Sequence, residues 1–119
     1  MGKVGPSQEQ IDSIISILSI GKFQEALEKT TTLKQLHPGE SLLSNISGAC
    51  YQGLGQFEAA IDCYEKAINI NPNYYKAHYN LGGLLQELGK LNSAVESFER
   101  ALSIKPDYAE AHNNIGNVF

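Results

Sequence analysis

Residues 75–108 read YKAHYNLGGLLQELGKLNSAVESFERALSIKPDY, and this stretch recurs along the chain with a period of 34 residues. One period towards the N-terminus, Phe98 falls on Tyr64 and Pro106 falls on Pro72, with no gap in the alignment. A fixed period over most of a 119-residue chain is typical of stacked units that each contact only their neighbours. The sequence therefore predicts an array of repeats and not one irregular domain.

Each unit has the pattern of two helices. Within 75–108, apolar residues recur at steps of three and four positions over 77–88 and again over 94–102, which is the period of one helix face. Gly89 lies between the two runs, where its access to positive φ allows the first helix to end. Pro106 cannot continue the second helix. We therefore predict an all-α fold of tandem antiparallel helix pairs.

The same period divides the rest of the chain. We expect a leader at 1–6, complete units at 7–40, 41–74 and 75–108, and a final segment at 109–119. The final segment matches the start of a unit. It is therefore predicted to be the first helix of a truncated fourth unit or a capping helix.

The first unit departs from the other two at a pair of positions. Ile14 stands where the later units have Gly48 and Gly82, and Thr30 stands where they have an aromatic residue. Terminal repeats often diverge because they pack on one side only, so we interpret this unit as a cap. Its many isoleucines are more apolar than a surface facing water requires, which leaves a further upstream contact or self-association open.

Three glycines fall in the middle of predicted first helices, at Gly48, Gly82 and Gly116. A mid-helix glycine costs about 1 kcal/mol relative to alanine, so close approach of the paired helix is expected to offset the loss. The candidates on the facing helices are Ala60 and Ala94. A bulky residue at Gly82 should then separate the pair and destabilise the fold.

This pattern resembles the signature of the tetratricopeptide repeat (TPR) family, in which Leu-Gly-x-x-Tyr, Ala-x-x-x-Phe and Pro follow one another within a helix-turn-helix unit. The matching residues in the second and third units are Gly48-x-x-Tyr51, Ala60-x-x-x-Tyr64, Leu81-Gly82 and Ala94-x-x-x-Phe98. The resemblance covers 7–119. It implies a right-handed α-solenoid, the TPR superhelix.

In proteins that this chain resembles, the first helix of each repeat lines a concave face that binds an extended peptide or a helix of a partner. The resemblance therefore implies a protein-protein interaction module with a protein or peptide partner. Carried over by position, the binding residues would be Gln8, Ile11, Asp12, Ile15, Asn45, Ala49, Gln52, Lys76, Tyr79, Asn80, Gly83, Gln86, Asn113, Asn114 and Asn117. Their many amides could pair with a peptide main chain. The alternative, that these amides are only solvated polar groups, stays open.

Family members that hold a C-terminal carboxylate use Lys, Arg and Asn at set places on this face. Here the corresponding places hold Ile11, Ile15 and Ile46, and only Lys76 could serve as a cation. The resemblance therefore does not extend to a carboxylate clamp.

Repeats that precede O-linked N-acetylglucosamine transferases carry a ladder of asparagines on the same face. Asn80 and Asn114 match the ladder, whereas Asp12 and Ile46 do not. Similar sequence motifs also occur in bacterial relatives, where they precede a transferase domain. An alternative function is therefore the substrate-recruiting N-terminal region of a larger transferase.

Charge and composition exclude several other classes of function. The net charge is -4, and Lys and Arg form no cluster, so we expect neither nucleic acid nor an anionic membrane surface as a partner. No stretch reaches the roughly 20 apolar residues that a membrane span needs. Cys50 and Cys63 have no spacing typical of disulfides or metal sites, so we interpret them as reduced thiols of a cytoplasmic protein.

No residue pattern indicates catalysis. His37, His78 and His112 fall one per unit, and the last two are one period apart, so we expect structural roles for them. No zinc-binding or phosphate-binding motif accompanies the histidines or glycines. We therefore predict a protein that is not an enzyme and uses no metal or cofactor.

The final segment carries an apolar stripe made of Ala111, Ile115, Val118 and Phe119. In a complete repeat, a second helix would cover this stripe. Left uncovered, it predicts self-association through the C-terminal helix, with a homodimer as the third alternative.

Overall fold

The computed structural model describes residues 5–118, including all of their side chains except that of Val118. This part of the chain forms seven helices and contains no strand. They are α1 (Gln8–Ser19), α2 (Phe23–Leu36), α3 (Ser41–Gly53), α4 (Phe57–Ile70), α5 (Tyr75–Glu87), α6 (Leu91–Ile104) and α7 (Ala109–Val118). Successive helices pack on each other in chain order. The chain is an all-α solenoid, which confirms the predicted fold class.

The helix boundaries follow the glycines and prolines of the repeat. Gly21, Gly55 and Gly89 have φ values of 82°, 77° and 80°, in the left-handed region that glycine adopts without steric cost. After α5, the backbone N–H of Lys90 donates to the carbonyl of Leu85 over 2.8 Å. This bond closes the helix end and turns the chain into α6.

The start of α1 is fixed by a reciprocal cap. The hydroxyl oxygen of Ser7 accepts from the backbone N–H of Gln10 over 3.1 Å, and Gln10 Oε1 accepts from the backbone N–H of Ser7 over 2.9 Å. Such a capping box satisfies two N–H groups that the helix itself leaves without partners. The first helix of the array therefore has a defined beginning.

The two buried mid-helix glycines each lie against an aromatic ring of the paired helix. A Cβ atom added at Gly82 would lie 2.7 Å from Cδ1 of Phe98, and one added at Gly48 would lie 2.5 Å from Cε1 of Tyr64. Both rings are buried. The expected close approach is present at these two glycines, and the nearest atoms are those of the two rings, whereas a Cβ atom added at Gly116 has no neighbour within 4 Å.

The first unit reverses the arrangement of a small residue on the first helix and a large residue on the second helix that the other two units share. Ile14 on α1 and Thr30 on α2 are both buried, and the hydroxyl of Thr30 donates to the carbonyl of Ala26 over 2.7 Å. Ile14 thus supplies from α1 the volume that Tyr64 and Phe98 supply from α4 and α6. The departure from the repeat pattern therefore places the larger side chain on α1 and the smaller one on α2.

This exchange predicts strong coupling between the two positions. Thr30→Phe alone should lower the free energy of unfolding by about 1–3 kcal/mol, because Ile14 already fills the space. Adding Ile14→Gly should recover part of the loss, so that the double variant is more stable than the summed single effects by at least about 0.5 kcal/mol. Urea unfolding of the four proteins measures this coupling. Strict additivity would show that the two side chains do not share one space.

Two of the three histidines connect a first helix to the preceding turn. His78 Nε2 lies 3.0 Å from the carbonyl oxygen of Pro72, and His112 Nε2 lies 2.9 Å from that of Pro106. Because a carbonyl only accepts, each Nε2 carries the proton and donates. These two histidines have the structural role that the repeat period predicts.

The structure corrects part of the expected apolar stripe on α7. Ala111 is buried because α7 packs on α6 and α5, so this residue offers no surface to a second copy. Ile115 is half-buried. The side chain of Val118 and the whole of Phe119 lie outside the described residues. Self-association stays a prediction, and within the described part it concerns Ile115.

Candidate binding surface of the first helices

The first helices of the pairs, α3, α5 and α7, are tied to one another by side-chain hydrogen bonds. Asn80 Nδ2 donates to Asn45 Oδ1 over 3.0 Å, and Asn114 Nδ2 donates to the hydroxyl of Tyr79 over 3.1 Å. Asn45 Nδ2 in turn donates to the hydroxyl of Tyr74 over 3.3 Å. We call the surface formed by α1, α3, α5 and α7 the first-helix face. Asn45, Asn80 and Asn114 on this face make hydrogen bonds to neighbouring helices. The sequence had suggested only two roles for these amides, pairing with a peptide main chain or solvation by water.

The equivalent junction between α1 and α3 is apolar. Ile11 and Ile46 occupy the corresponding positions, each is 5% exposed, and both belong to one buried cluster with Leu43. Ile11 was predicted to contact a peptide. The structure corrects this, because the side chain is used in packing α1 onto its neighbours. Asn45, at 8% exposed, is likewise part of the interior.

The first-helix face contains an open cavity of about 450 Å³ between α1, α3 and α5. Three of the predicted binding residues line it, namely Ala49, Gln52 and Asn80. Five lining residues were missed by the sequence analysis, namely Leu18, Phe23, Gly53, Tyr64 and Glu87. The volume falls within the range of about 300–1,000 Å³ that is common for ligand sites.

One wall of this cavity is formed by the aromatic ring of Phe23, which packs against Gly53. A Cβ atom added at Gly53 would overlap Cδ1 and Cε1 of Phe23, so the ring lies directly on the backbone of α3. The other units have Ser19 and Glu87 at the position of Gly53. This local loss of a side chain was the signal in the sequence that could have identified Phe23 as part of the site.

The polar side of the cavity is a chain of three hydrogen-bonded groups. The hydroxyl of Tyr64 donates to Gln52 Oε1 over 2.7 Å, and Gln52 Nε2 donates to Glu87 Oε1 over 3.0 Å. Burial raises the pKa of Tyr64, and neighbouring groups including the Glu87 carboxylate raise it further. The phenol therefore stays protonated and donates to Gln52 at neutral pH. Both ends of the Gln52 amide are thus hydrogen-bonded, and its nitrogen holds Glu87 in position.

The remaining predicted residues lie outside this cavity. Tyr79 is half-buried, and its ring packs 5.7 Å from that of Phe98 and 5.1 Å from that of Tyr108 between centroids. The residues that are exposed to solvent are Gln8, Asp12, Ile15, Lys76, Asn113 and Asn117, and those that are half-buried are Gly83, Gln86 and Asn114. The structure thus brings three of the predicted residues together at the cavity, pairs Tyr79 with Asn114 by a hydrogen bond, and buries Ile11 and Asn45.

The two thiols have the properties of packed groups. Burial, with a smaller contribution from Cys63, raises the pKa of Cys50 to about 11, and burial is also the main cause of a raised pKa at Cys63. A raised pKa keeps a thiol protonated and weakly nucleophilic. Within residues 5–118, no three His, Cys, Asp or Glu side chains are placed to hold a metal ion. None of the helices in that range has the length and apolar character of a membrane span.

The helix pairs, their period and the packing of glycine on aromatic rings define a helical repeat protein. The family model for the TPR repeat matches residues 49–89 and 84–119. The chain belongs to the tetratricopeptide repeat family, as the sequence pattern predicts. Among curated proteins, none matches the chain at a significant level.

Solved structures similar to the chain include other TPR domains. MamA is 28% identical with a TM-score of 0.82, and the match covers 92% of this chain but 64% of MamA. The first TPR of Spaghetti (RPAP3), bound to the HSP90 peptide SRMEEVD, is 26% identical with a TM-score of 0.84, covering 98% of this chain and 95% of that one. The second TPR domain of human RPAP3, in complex with the HSP70 peptide SGPTIEEVD, is 26% identical with a TM-score of 0.81, covering 92% and 91%. This chain spans less than two thirds of MamA.

Proposed function

We propose that the chain is a protein-interaction module that binds an extended segment of a partner protein on the first-helix face. The observation that carries the proposal is the open cavity of about 450 Å³ where α1, α3 and α5 meet. It combines an apolar wall with fixed polar groups, as sites for peptide side chains commonly do. A peptide main chain would lie along the face, with one side chain in the cavity.

Two similar structures support this proposal, because each contains a bound peptide. The first and second TPR domains of RPAP3 hold HSP90 and HSP70 peptides, and each covers more than nine tenths of this chain. Both peptides end in Glu-Glu-Val-Asp. Lys76 is the only cation on the four first helices within the described residues. The proposed partner segment is therefore different in charge from those two peptides.

A substitution that fills the cavity without adding charge tests the proposal. Ala49→Gln should weaken binding of peptides captured from an unbiased nine-residue library by about tenfold, because the longer side chain occupies the cavity. Fluorescence polarisation with the captured peptides measures the change. Glutamine is a good helix former, so the fold of α3 should be retained.

The matched control is Ala59→Gln. Ala59 is also a half-buried helical alanine, but it lies on α4 and does not line the cavity. This variant should bind like the unmodified chain. If Ala49→Gln captures every peptide with unchanged affinity, the cavity is not the binding site. Self-association through α7 and a recruiting role in a larger transferase stay predictions.

A further inference from the structure

We propose that the cavity of the first-helix face receives a basic side chain, Lys or Arg, from the bound segment, with the cation at Glu87. The inference rests on the proposed function and specifies the chemistry of its partner. Of the eight residues that line the cavity, Glu87 is the one acidic residue, and neither Lys nor Arg is among them. A cation entering the cavity meets one fixed negative charge.

The carboxylate of Glu87 is held at one oxygen and available at the other. Gln52 Nε2 donates to Oε1, and within residues 5–118 no other donor lies in hydrogen-bond range of this side chain. Because Tyr64 donates to the amide oxygen of Gln52, the amide nitrogen is the end that faces Glu87. A carboxylate positioned in advance loses less entropy when it binds a guanidinium or ammonium group.

The apolar wall matches the stem of a basic side chain. Leu18, Phe23 and Ala49 line the cavity beside the polar groups. Lys and Arg place their methylene groups against apolar surface while the charged end stays with polar partners. The ring of Phe23 can also attract a cation to its face. A short acidic side chain would gain neither of these contacts and would be repelled by Glu87.

The wider charge of the surface favours the same partner. The charged residues on the four first helices within the described range are Glu9, Asp12, Glu87 and Glu110 against Lys76. This excess of negative charge attracts a basic segment during encounter and disfavours an acidic one. The attraction should weaken as salt is raised, because exposed charges are screened.

The test compares peptides selected from an unbiased nine-residue library by the unmodified chain and by Glu87→Gln. We expect the selected peptides to be enriched in Lys and Arg and to bind at least tenfold more tightly than the acidic peptide SRMEEVD. In Glu87→Gln, their affinity should fall by about tenfold, because the cation loses its charged acceptor. Glu87→Lys should remove the basic preference altogether.

The matched control is Glu96→Gln on α6, which removes an exposed carboxylate that does not line the cavity. It should retain the preference for basic peptides, and thermal melting should show that all variants remain folded. If peptides bind without a basic preference, or if Glu87→Gln keeps that preference, this inference is wrong while the binding function stands. If no peptide is selected at all, both proposals fail.

Discussion

Gly82→Leu is expected to lower the free energy of unfolding by about 3 kcal/mol. The Cβ atom alone would lie 2.7 Å from Cδ1 of Phe98, and leucine adds three further carbon atoms behind it. The ring is fully buried between the helices, so we expect α5 and α6 to separate. For a chain of 119 residues, we expect the melting temperature to fall by roughly 10 °C.

Gly83 provides the control, since it is the next residue on the same helix. A Cβ atom added there has no neighbour within 4 Å. Gly83→Ala should therefore stabilise the protein by up to about 1 kcal/mol through helix propensity, whereas Gly82→Ala should destabilise it. Thermal melting of the two alanine variants gives the comparison. Equal shifts in the same direction would show that the ring of Phe98 does not decide the cost at Gly82.

Phe98→Ala is expected to cost about 3–5 kcal/mol, because it removes a buried aromatic side chain from between the helices. The ring packs on the backbone at Gly82 and lies 5.7 Å from the ring of Tyr79 between centroids. Domains of this size are stable by about 5–15 kcal/mol, so the loss is a large fraction of the total. Urea unfolding measures the effect directly.

Leu91 is the matched control for this truncation, because it lies on the same helix and is exposed. Leu91→Ala should change the free energy of unfolding by no more than about 0.5 kcal/mol. A similarly small loss for Phe98→Ala would contradict the assigned packing. Combining Gly82→Ile with Phe98→Thr should recover stability relative to Phe98→Thr alone, since the pair then repeats the Ile14 and Thr30 arrangement of the first unit.

The fold could be predicted because its boundaries depend on local chemistry. Gly89 and Pro106 end their helices through backbone geometry and the loss of a donor, and both effects act within a few residues. The partner of Gly82 was less accessible to sequence reasoning. Period and propensity place a glycine opposite a helix, but side-chain packing decides that the ring of Phe98 supplies the nearest atoms.

The binding surface was harder to predict because it depends on the stagger between neighbouring units. Equivalent positions are 34 residues apart, yet Asn45 bonds to Asn80 and Gln52 bonds to Glu87, each 35 residues later. That offset follows from how the helices pack, which the period alone does not specify. The position of Phe23 in the cavity wall likewise depends on Gly53, which is distant in the sequence.

The contacts between neighbouring first helices change from apolar to polar along the array, so its N-terminal and C-terminal parts differ. Two isoleucines join α1 to α3, two asparagines join α3 to α5, and a tyrosine and an asparagine join α5 to α7. Burying an isoleucine contributes about 1.5–3 kcal/mol, whereas a neutral hydrogen bond contributes about 0.5–1.5 kcal/mol. In a one-dimensional array, the weaker nearest-neighbour coupling opens first. The two ends of the array are therefore not equivalent, because neighbouring first helices are coupled by a different kind of interaction at each junction.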